Sequence, residues 1–127
     1  MITVLDAAAL IAELNGEPGS EQVIDAYPDV LASAVNVAEV MTKLVERGAN
    51  AEETAEIASR LRCPVQPFDA AQALLAGQLR APTRALGLSL GDRACLALAL
   101  TVGAVRVLTT DRAWLRLDLG LDVRVIR

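Results

Sequence analysis

Short apolar runs alternate with segments of helical periodicity along the whole chain. Residues 2–5 form an apolar run that ends at an aspartate and predicts a buried strand, and residues 30–33, 105–109 and 123–126 predict three more. Residues 64–67 predict a strand-like piece at a sheet edge, because two prolines limit its pairing. The pattern therefore indicates a small sheet of about five short strands.

The segments between these strands carry helical signals. In the clearest helix, Val37, Val40, Met41, Leu44 and Val45 follow the spacing of one buried face, and Gly48 ends it. Because parallel strands need helical crossovers, this alternation predicts a single α/β domain over residues 1–127 with a mainly parallel sheet. Further helices are predicted at 7–14, 20–26, 50–61, 70–79 and 92–102, a helical turn at 111–115, and a loop around Pro82 that contains Arg80 and Arg84.

Histidine is absent from the 127 residues, and this excludes several kinds of catalytic site. Neither a Ser-His-Asp nor a Cys-His arrangement can form, and an imidazole general base is excluded too. The sequence also lacks the phosphate-binding motifs GxxxxGK[ST] and GxGxxG. Carboxylates, hydroxyls, arginines and the single Lys43 remain for catalysis, and carboxylates favour chemistry with hard metal ions.

The apolar content is high for a water-soluble chain, with 54% hydrophobic residues and a mean hydropathy of +0.40. The most apolar stretch, residues 94–105, is shorter than the roughly 20 apolar residues that cross a membrane. The first residues lack the basic region of a signal peptide, so we expect a cytoplasmic protein with free thiols at Cys63 and Cys95. The apolar surplus indicates that a partner or a second copy of the chain covers part of the helical surface.

Four acidic residues stand where a predicted strand gives way to a helix. Asp6 and Asp111 directly follow strands, Glu39 lies in the first turn of its helix, and Asp92 opens the helix that follows Ser89. Because ligands gather at the carboxyl ends of parallel strands, we expect these side chains to converge. Carboxylates suit Mg²⁺ or Mn²⁺, which can activate water and neutralise charge on a phosphate. The acids therefore predict a metal site that hydrolyses phosphodiesters.

A structural interpretation exists beside the metal site. Asn36 and Glu39, like Ser89 and Asp92, have the spacing of a capping box, and Asp6 and Asp111 stand where simple helix N-caps would. Four acids at one edge with few basic partners would repel one another unless a cation intervened, which favours the metal site. The net charge of −4 argues against binding nucleic acid by charge alone, but cations held by the acids would attract phosphate.

Four segments resemble the acidic motifs of PIN domains, and are most similar to those of VapC-type toxins of bacterial toxin–antitoxin systems. They are VLDA at residues 4–7, NVAEV at 36–40, LSLGDRACLA at 88–97 and LTTDRAW at 108–114. The resemblance spans essentially the whole chain with the motifs in the right order, and the last two motifs are the most specific.

The resemblance implies a fold and an activity. The fold is a three-layer α/β/α sandwich, and the activity is that of a Mg²⁺- or Mn²⁺-dependent endoribonuclease toxin that cleaves transfer, ribosomal or messenger RNA with a metal-activated water. It also implies a homodimer that a cognate VapB-like antitoxin holds inactive. The catalytic metal-binding acids would be Asp6, Glu39, Asp92 and Asp111.

One position departs from the pattern of such toxins, in which a hydroxyl residue commonly follows the first aspartate. Ala7 and Ala8 stand there in this chain, which leaves Thr109 or Thr110 as the candidate support for Asp111. Arginines at four positions, 80, 84, 93 and 112, are candidates for contact with RNA. Arg93 and Arg112 could instead bind a carboxylate of the antitoxin, and they are equally explained as solvated residues on an outer helix face. Asp69 is expected to be an N-cap, and Trp114 and Cys95 to be packing residues.

Rival functions use other features of the sequence. The chain could be a non-catalytic PIN-like α/β binding module that acts through a protein partner and keeps its acids as caps. A phosphoacceptor receiver domain would need paired acids near the first strand and a lysine after a late strand, whereas Lys43 lies in a helix. A haloacid-dehalogenase-type phosphatase would need Asp-x-Asp, whereas three alanines follow Asp6. The last two therefore fit poorly.

Overall fold

The computed structural model describes all of residues 1–127, and its elements follow the predicted alternation. The strands are β1 (Thr3–Leu5), β2 (Val30–Ser33), β3 (Val65–Gln66), β4 (Arg106–Thr109) and β5 (Asp122–Val125). The helices are α1 (Ala7–Asn15), α2 (Ser20–Ala26), α3 (Ala34–Glu46), α4 (Ala51–Ser59), α5 (Ala70–Gln78), α6 (Arg80–Thr83) and α7 (Leu90–Val102), with short 3-10 helices at Arg84–Leu86 and Arg112–Arg116.

All five strands join one sheet in the order β3-β2-β1-β4-β5, and every neighbouring pair is parallel. Leu5 at the end of β1 pairs with Leu108 of β4, so the residues that follow these two strands emerge side by side. Strand β2 lies on the other side of β1 and runs directly into α3. The carboxyl ends of β1, β2 and β4 therefore lie at one edge of the sheet, as the sequence predicts.

The two faces of the sheet are covered by different helices. Leu5 and Leu108 face a core that includes residues of α1, α2 and α3, whereas Val4 and Val107 face a second core built mainly from α5, α7 and Trp114. Successive strand residues point to opposite faces, and burial of both faces gives the continuous apolar runs of β1 and β4. The expected three-layer α/β/α arrangement is confirmed.

The predicted loop around Pro82 is wrong, because the segment is helical. Arg80–Thr83 forms α6, and a 3-10 helix follows at Arg84–Leu86. Pro82 lies in the first turn of α6, where the missing backbone N–H would have had no helical partner, so a proline is tolerated there. The buried Thr83 hydroxyl donates to the Leu79 carbonyl at 2.7 Å and ties this turn to the end of α5.

Several local predictions are confirmed. Asp69 caps α5 by accepting from the Gln72 N–H at 2.9 Å, and Trp114 and Cys95 are fully buried. No helix combines the length and the apolar character that a membrane-spanning segment requires.

Candidate functional site

Asp6 lies at the junction between β1 and α1. Its backbone N–H donates to the Leu108 carbonyl at 3.2 Å, and its Oδ1 accepts from the Ala9 N–H at 2.8 Å, which makes it the N-cap of α1. The side chain is buried, and burial is the main reason that the pKa of Asp6 is raised to about 6. The charges of Asp92 and Glu39 raise it too, while hydrogen bonds from Thr109 and Ala9 lower it.

Glu39 reaches the same edge from α3, which follows β2. The side-chain Nδ2 of Asn36 donates to Glu39 Oε1 at 2.8 Å and to the Gly91 carbonyl of α7 at 3.0 Å. The N-cap of α3 is Ser33, whose hydroxyl accepts from the Val35 N–H at 3.2 Å. Asn36 and Glu39 therefore do not form the capping box that their spacing allows.

Asp92 is held at the start of α7. Its Oδ2 accepts from the Ser89 N–H at 2.9 Å, and its own N–H donates to the Ser89 hydroxyl at 3.1 Å. This reciprocal pair is the capping box that the spacing predicts. The carboxylate keeps its second oxygen, Oδ1, outside this hydrogen-bond pair.

Asp111 follows β4 and is exposed. Its Oδ1 accepts from the Ala113 N–H at 2.9 Å, and its N–H donates to the Thr109 hydroxyl at 3.1 Å. The same Thr109 side chain interacts with the carboxylate of Asp6. Of the two candidate threonines, Thr109 is therefore the one whose hydroxyl supports Asp111.

Three of the four predicted acids, Asp6, Glu39 and Asp92, lie near enough for their charges to act on one another. The charges of Asp92 and Glu39 act on Asp6, and all three carboxylates raise the pKa of the buried Cys95 thiol, after the larger effect of burial itself. Asp111 stands at the same edge and is connected to the cluster through Thr109, but its carboxylate caps a 3-10 helix. No three of these side chains lie close enough together to enclose a metal ion as they stand.

The chemistry of this donor set nevertheless suits a hard divalent cation. None of the four carboxylates forms an ion pair with a lysine or an arginine. Like charges that meet beside a buried region raise the energy of the folded state unless a positive charge balances them. A cation that takes carboxylate oxygens and retains waters would balance them, and Mg²⁺ and Mn²⁺ have that preference.

Comparison with known proteins identifies the family. A family model of the PIN domain matches residues 3–119, which is most of the chain. The chain belongs to the PIN-domain family. No curated protein sequence gives a significant match.

Solved structures with the same fold as this PIN domain include chains of toxin–antitoxin complexes. A chain of the DNA-bound VapBC complex from Salmonella typhimurium matches with a TM-score of 0.76 at 17% identity, and the match covers 100% of this chain and 99% of that chain. VapC20 of Mycobacterium tuberculosis, described as a toxin that cleaves the sarcin-ricin loop, matches with a TM-score of 0.74 at 16% identity. The match covers 94% of this chain and 98% of that chain. VapBC-5 of the same organism is 25% identical with a TM-score of 0.62, covering 99% and 98%.

The four candidate arginines of this PIN domain differ in how they are held. Arg93 is half-buried and donates from Nη1 to the Ala76 carbonyl at 3.0 Å, so it ties α7 to α5. Arg80, Arg84 and Arg112 are exposed and form no ion pair. Of these three, Arg112 directly follows Asp111 in the chain.

Sequence reasoning gave no role in the site to Asn36 or Gly91, although both touch Glu39. A Cβ placed on Gly91 would lie 2.7 Å from Glu39 Oε2 and closer still to the other carboxylate atoms. A glycine in the first turn of a helix lowers helix stability, and this is the one signal that could have drawn attention to position 91.

Proposed function

We propose that this PIN domain is a divalent-metal-dependent endoribonuclease and the toxin of a toxin–antitoxin pair. The observation that carries the proposal is that Asp6, Glu39 and Asp92 lie at one edge of the sheet without any basic partner. Glu39 lies against Gly91, next to Asp92 at the start of α7, and α7 packs on β1, which Asp6 follows. A chain without histidine that gathers carboxylates in this way has the donors for a hard metal and none for imidazole catalysis.

The residues that would hold Mg²⁺ or Mn²⁺ are Asp6, Glu39, Asp92 and Asp111. A divalent cation, when bound, lowers the pKa of a water molecule and neutralises charge that builds on a phosphate. The backbone hydrogen bonds at Asp92 and Asp111 fix one oxygen of each carboxylate and leave the other for a ligand, whereas the Asp6 carboxylate is held by both Ala9 and Thr109. In the net reaction, a water oxygen bonds to phosphorus, the phosphorus–oxygen bond to the departing ribose breaks, and a proton from the water goes to the departing oxygen.

RNA is the proposed substrate, and an antitoxin the proposed partner. The fold is shared with a toxin described as cleaving the sarcin-ricin loop and with chains of VapBC complexes. Two leucines in the segments that follow the acidic edge are exposed. Leu90 is the first residue of α7 and Leu115 lies in the 3-10 helix after Asp111, and each is 55% exposed. Apolar side chains beside a charged site suit burial under a VapB-like antitoxin or a second copy of the chain.

Cleavage of RNA by the antitoxin-free protein tests the activity. Total cellular RNA incubated with the protein and Mn²⁺ should be cut at defined positions, and excess EDTA should stop the reaction. Asp6→Asn should abolish cutting, whereas Asp69→Asn should leave it unchanged. Asp69 is the matched control because it caps α5 with the same backbone contact that Asp6 makes at α1. Undiminished cutting in EDTA would refute the metal-dependent mechanism.

A second candidate, a non-catalytic binding module, is favoured by one observation: three of the four acids accept capping hydrogen bonds and no three enclose a metal site. Calorimetry with Mn²⁺ separates the two functions. Saturable heat that is lost in Asp92→Asn supports the enzyme. Absence of heat, together with intact RNA, would support the binding module.

A further inference from the structure

Two uncharged residues, Asn36 and Gly91, together shape the position of the Glu39 carboxylate. We infer that they are positioning residues for Glu39, so that substitution of either weakens the binding of the divalent cation without any loss of a charged ligand. The inference deepens the proposed function and rests on it.

Asn36 connects Glu39 to the neighbouring helix. Its amide group is 1% exposed and donates both to Glu39 Oε1 at 2.8 Å and to the Gly91 carbonyl at 3.0 Å. The first contact lies within α3 and the second crosses to α7, onto which α3 packs. One amide group thus fixes the glutamate relative to the helix that carries Asp92.

The orientation of this amide is determined by its two neighbours. Both Glu39 Oε1 and the Gly91 carbonyl are acceptors, so a flipped amide would place oxygen against oxygen. In the observed orientation Asn36 Oδ1 is buried and has no donor in the chain. A buried acceptor without a partner destabilises the fold, and such an atom calls for an explanation. The explanation we infer is that the Asn36 amide is retained in this orientation because its Nδ2 holds the carboxylate of Glu39.

Gly91 provides the space that the carboxylate occupies. A Cβ at this position would lie 2.5 Å from Glu39 Cδ and 2.7 Å from Oε2, well inside van der Waals contact. These atoms are the far end of a flexible side chain, so a larger residue at position 91 would displace the carboxylate and leave the backbone in place. A glycine is unfavourable inside a helix, and here its absence of a side chain lets Glu39 lie directly against α7.

Gly91→Ala is the sharper test because it should separate metal binding from stability. Alanine favours the helix, while the displaced carboxylate gives up its hydrogen bond with Asn36, so the unfolding midpoint in urea should change little. The Mn²⁺ dissociation constant measured by calorimetry should nevertheless increase about 10- to 100-fold, which is typical when the group that orients a metal ligand is lost. Gly77→Ala is the matched control, since Gly77 lies inside α5 and a Cβ placed on it would meet no atom within 4 Å. It should change neither Mn²⁺ affinity nor cleavage.

Asn36→Ala tests the other half of the arrangement. Its matched control is Gln72→Ala, because Gln72 is also a buried amide that donates to a backbone carbonyl, that of Pro67 at 3.4 Å, and also has an unpartnered oxygen. Both variants should lose stability in urea. Only Asn36→Ala should raise the Mn²⁺ concentration that gives half-maximal cleavage, with the KM for RNA at saturating Mn²⁺ within about twofold of wild type, since a residue that orients a metal ligand acts on the metal rather than on the substrate.

The outcomes separate this inference from the proposed function. Wild-type protein that neither binds Mn²⁺ nor cleaves RNA would overturn the proposed function, and the inference with it. Wild-type protein that binds Mn²⁺, beside Gly91→Ala and Asn36→Ala proteins that bind it as well as their controls do, would overturn the inference alone.

Discussion

Thr109 and Asp111 are joined by a hydrogen bond of 3.1 Å, in which the aspartate N–H donates to the threonine hydroxyl. Thr109 is fully buried at the end of β4, and its side chain also interacts with the carboxylate of Asp6 at the end of β1. The hydroxyl thereby links the two acids that follow adjacent parallel strands. No hydroxyl residue directly follows Asp6, so Thr109 adds a side-chain contact to the backbone hydrogen bond from Asp6 to Leu108 that already joins these two junctions.

Thr109→Val should therefore disturb both the fold and the site. Valine has the same shape but no hydroxyl, so the N–H of Asp111 and the buried carboxylate of Asp6 each lose a partner. We expect a loss of about 1–2 kcal/mol in the free energy of unfolding and weaker Mn²⁺ binding. Thr83→Val is the control, because Thr83 is equally buried and also makes a hydroxyl hydrogen bond. Equal Mn²⁺ affinity in the two variants would contradict the linking role.

Asp6→Asn should make the metal-free protein more stable. The amide oxygen can still accept from the Ala9 N–H, while a buried charge close to Glu39 and Asp92 is removed. The gain should be about 1–3 kcal/mol at pH 7. Addition of Mn²⁺ should raise the melting temperature of the wild-type protein and leave that of Asp6→Asn unchanged. A metal-free Asp6→Asn protein that melts below wild type would show that Asp6 contributes more as a cap than it costs as a charge.

Arg112→Gln should weaken substrate binding without slowing the chemical step. Arg112 is exposed next to Asp111 and has no carboxylate partner, so its guanidinium is free to contact a phosphate. The KM for RNA should rise while kcat holds, and the slope of log affinity against log salt concentration should fall by about 1. Arg124→Gln is the comparison, because Arg124 pairs with Asp122 at 3.0 Å on β5. Similar KM values for the two variants would rule out phosphate contact at Arg112.

Tyr27→Phe should affect stability alone. The Tyr27 hydroxyl donates to both oxygens of Glu13, at 2.6 and 2.8 Å, in a half-buried contact between the end of α2 and α1. Its loss should reduce the free energy of unfolding by about 1.5–3 kcal/mol, as for hydrogen bonds to charged groups. RNA cleavage per folded molecule should not change, because the contact lies outside the acidic cluster. Urea titration and the cleavage assay check the two statements separately.

Both cysteines should resist alkylation in the folded protein. Burial raises the pKa of Cys63 to about 12, with the charge of Glu13 acting in the same direction, and raises the pKa of Cys95 well above its usual value. A raised thiol pKa means less thiolate at a given pH, so at pH 8 the thiolate fraction of Cys63 is on the order of 10⁻⁴. Iodoacetamide should label neither cysteine at pH 8 until urea unfolds the chain. Labelling of either in native protein would show that it is accessible.

Local sequence determined most of the elements. The apolar runs and helical periodicity predicted all five strands and the long helices to within a few residues, because burial of one face and capping at Ser89 and Asp69 act over a few neighbouring positions. The predicted strand ends also placed Asp6 and Asp111 just after strands. The segment Arg80–Thr83 was the exception, because a proline interrupts a helix only in its interior. Pro82 lies in the first turn of α6, where it is tolerated.

Tertiary structure decided what the acids do. Whether Glu39 caps its own helix or reaches α7 depends on Asn36 and on the space left by Gly91, 55 residues away from Asn36 in the chain. Whether Thr109 or Thr110 supports Asp111 depends on which side chain is buried at the end of β4, and that side chain is Thr109. The sequence by itself set the residue types and their local conformations, because those depend on neighbours in the chain. The distances between charges depend on how helices and strands pack, and those contacts join residues that no local pattern connects.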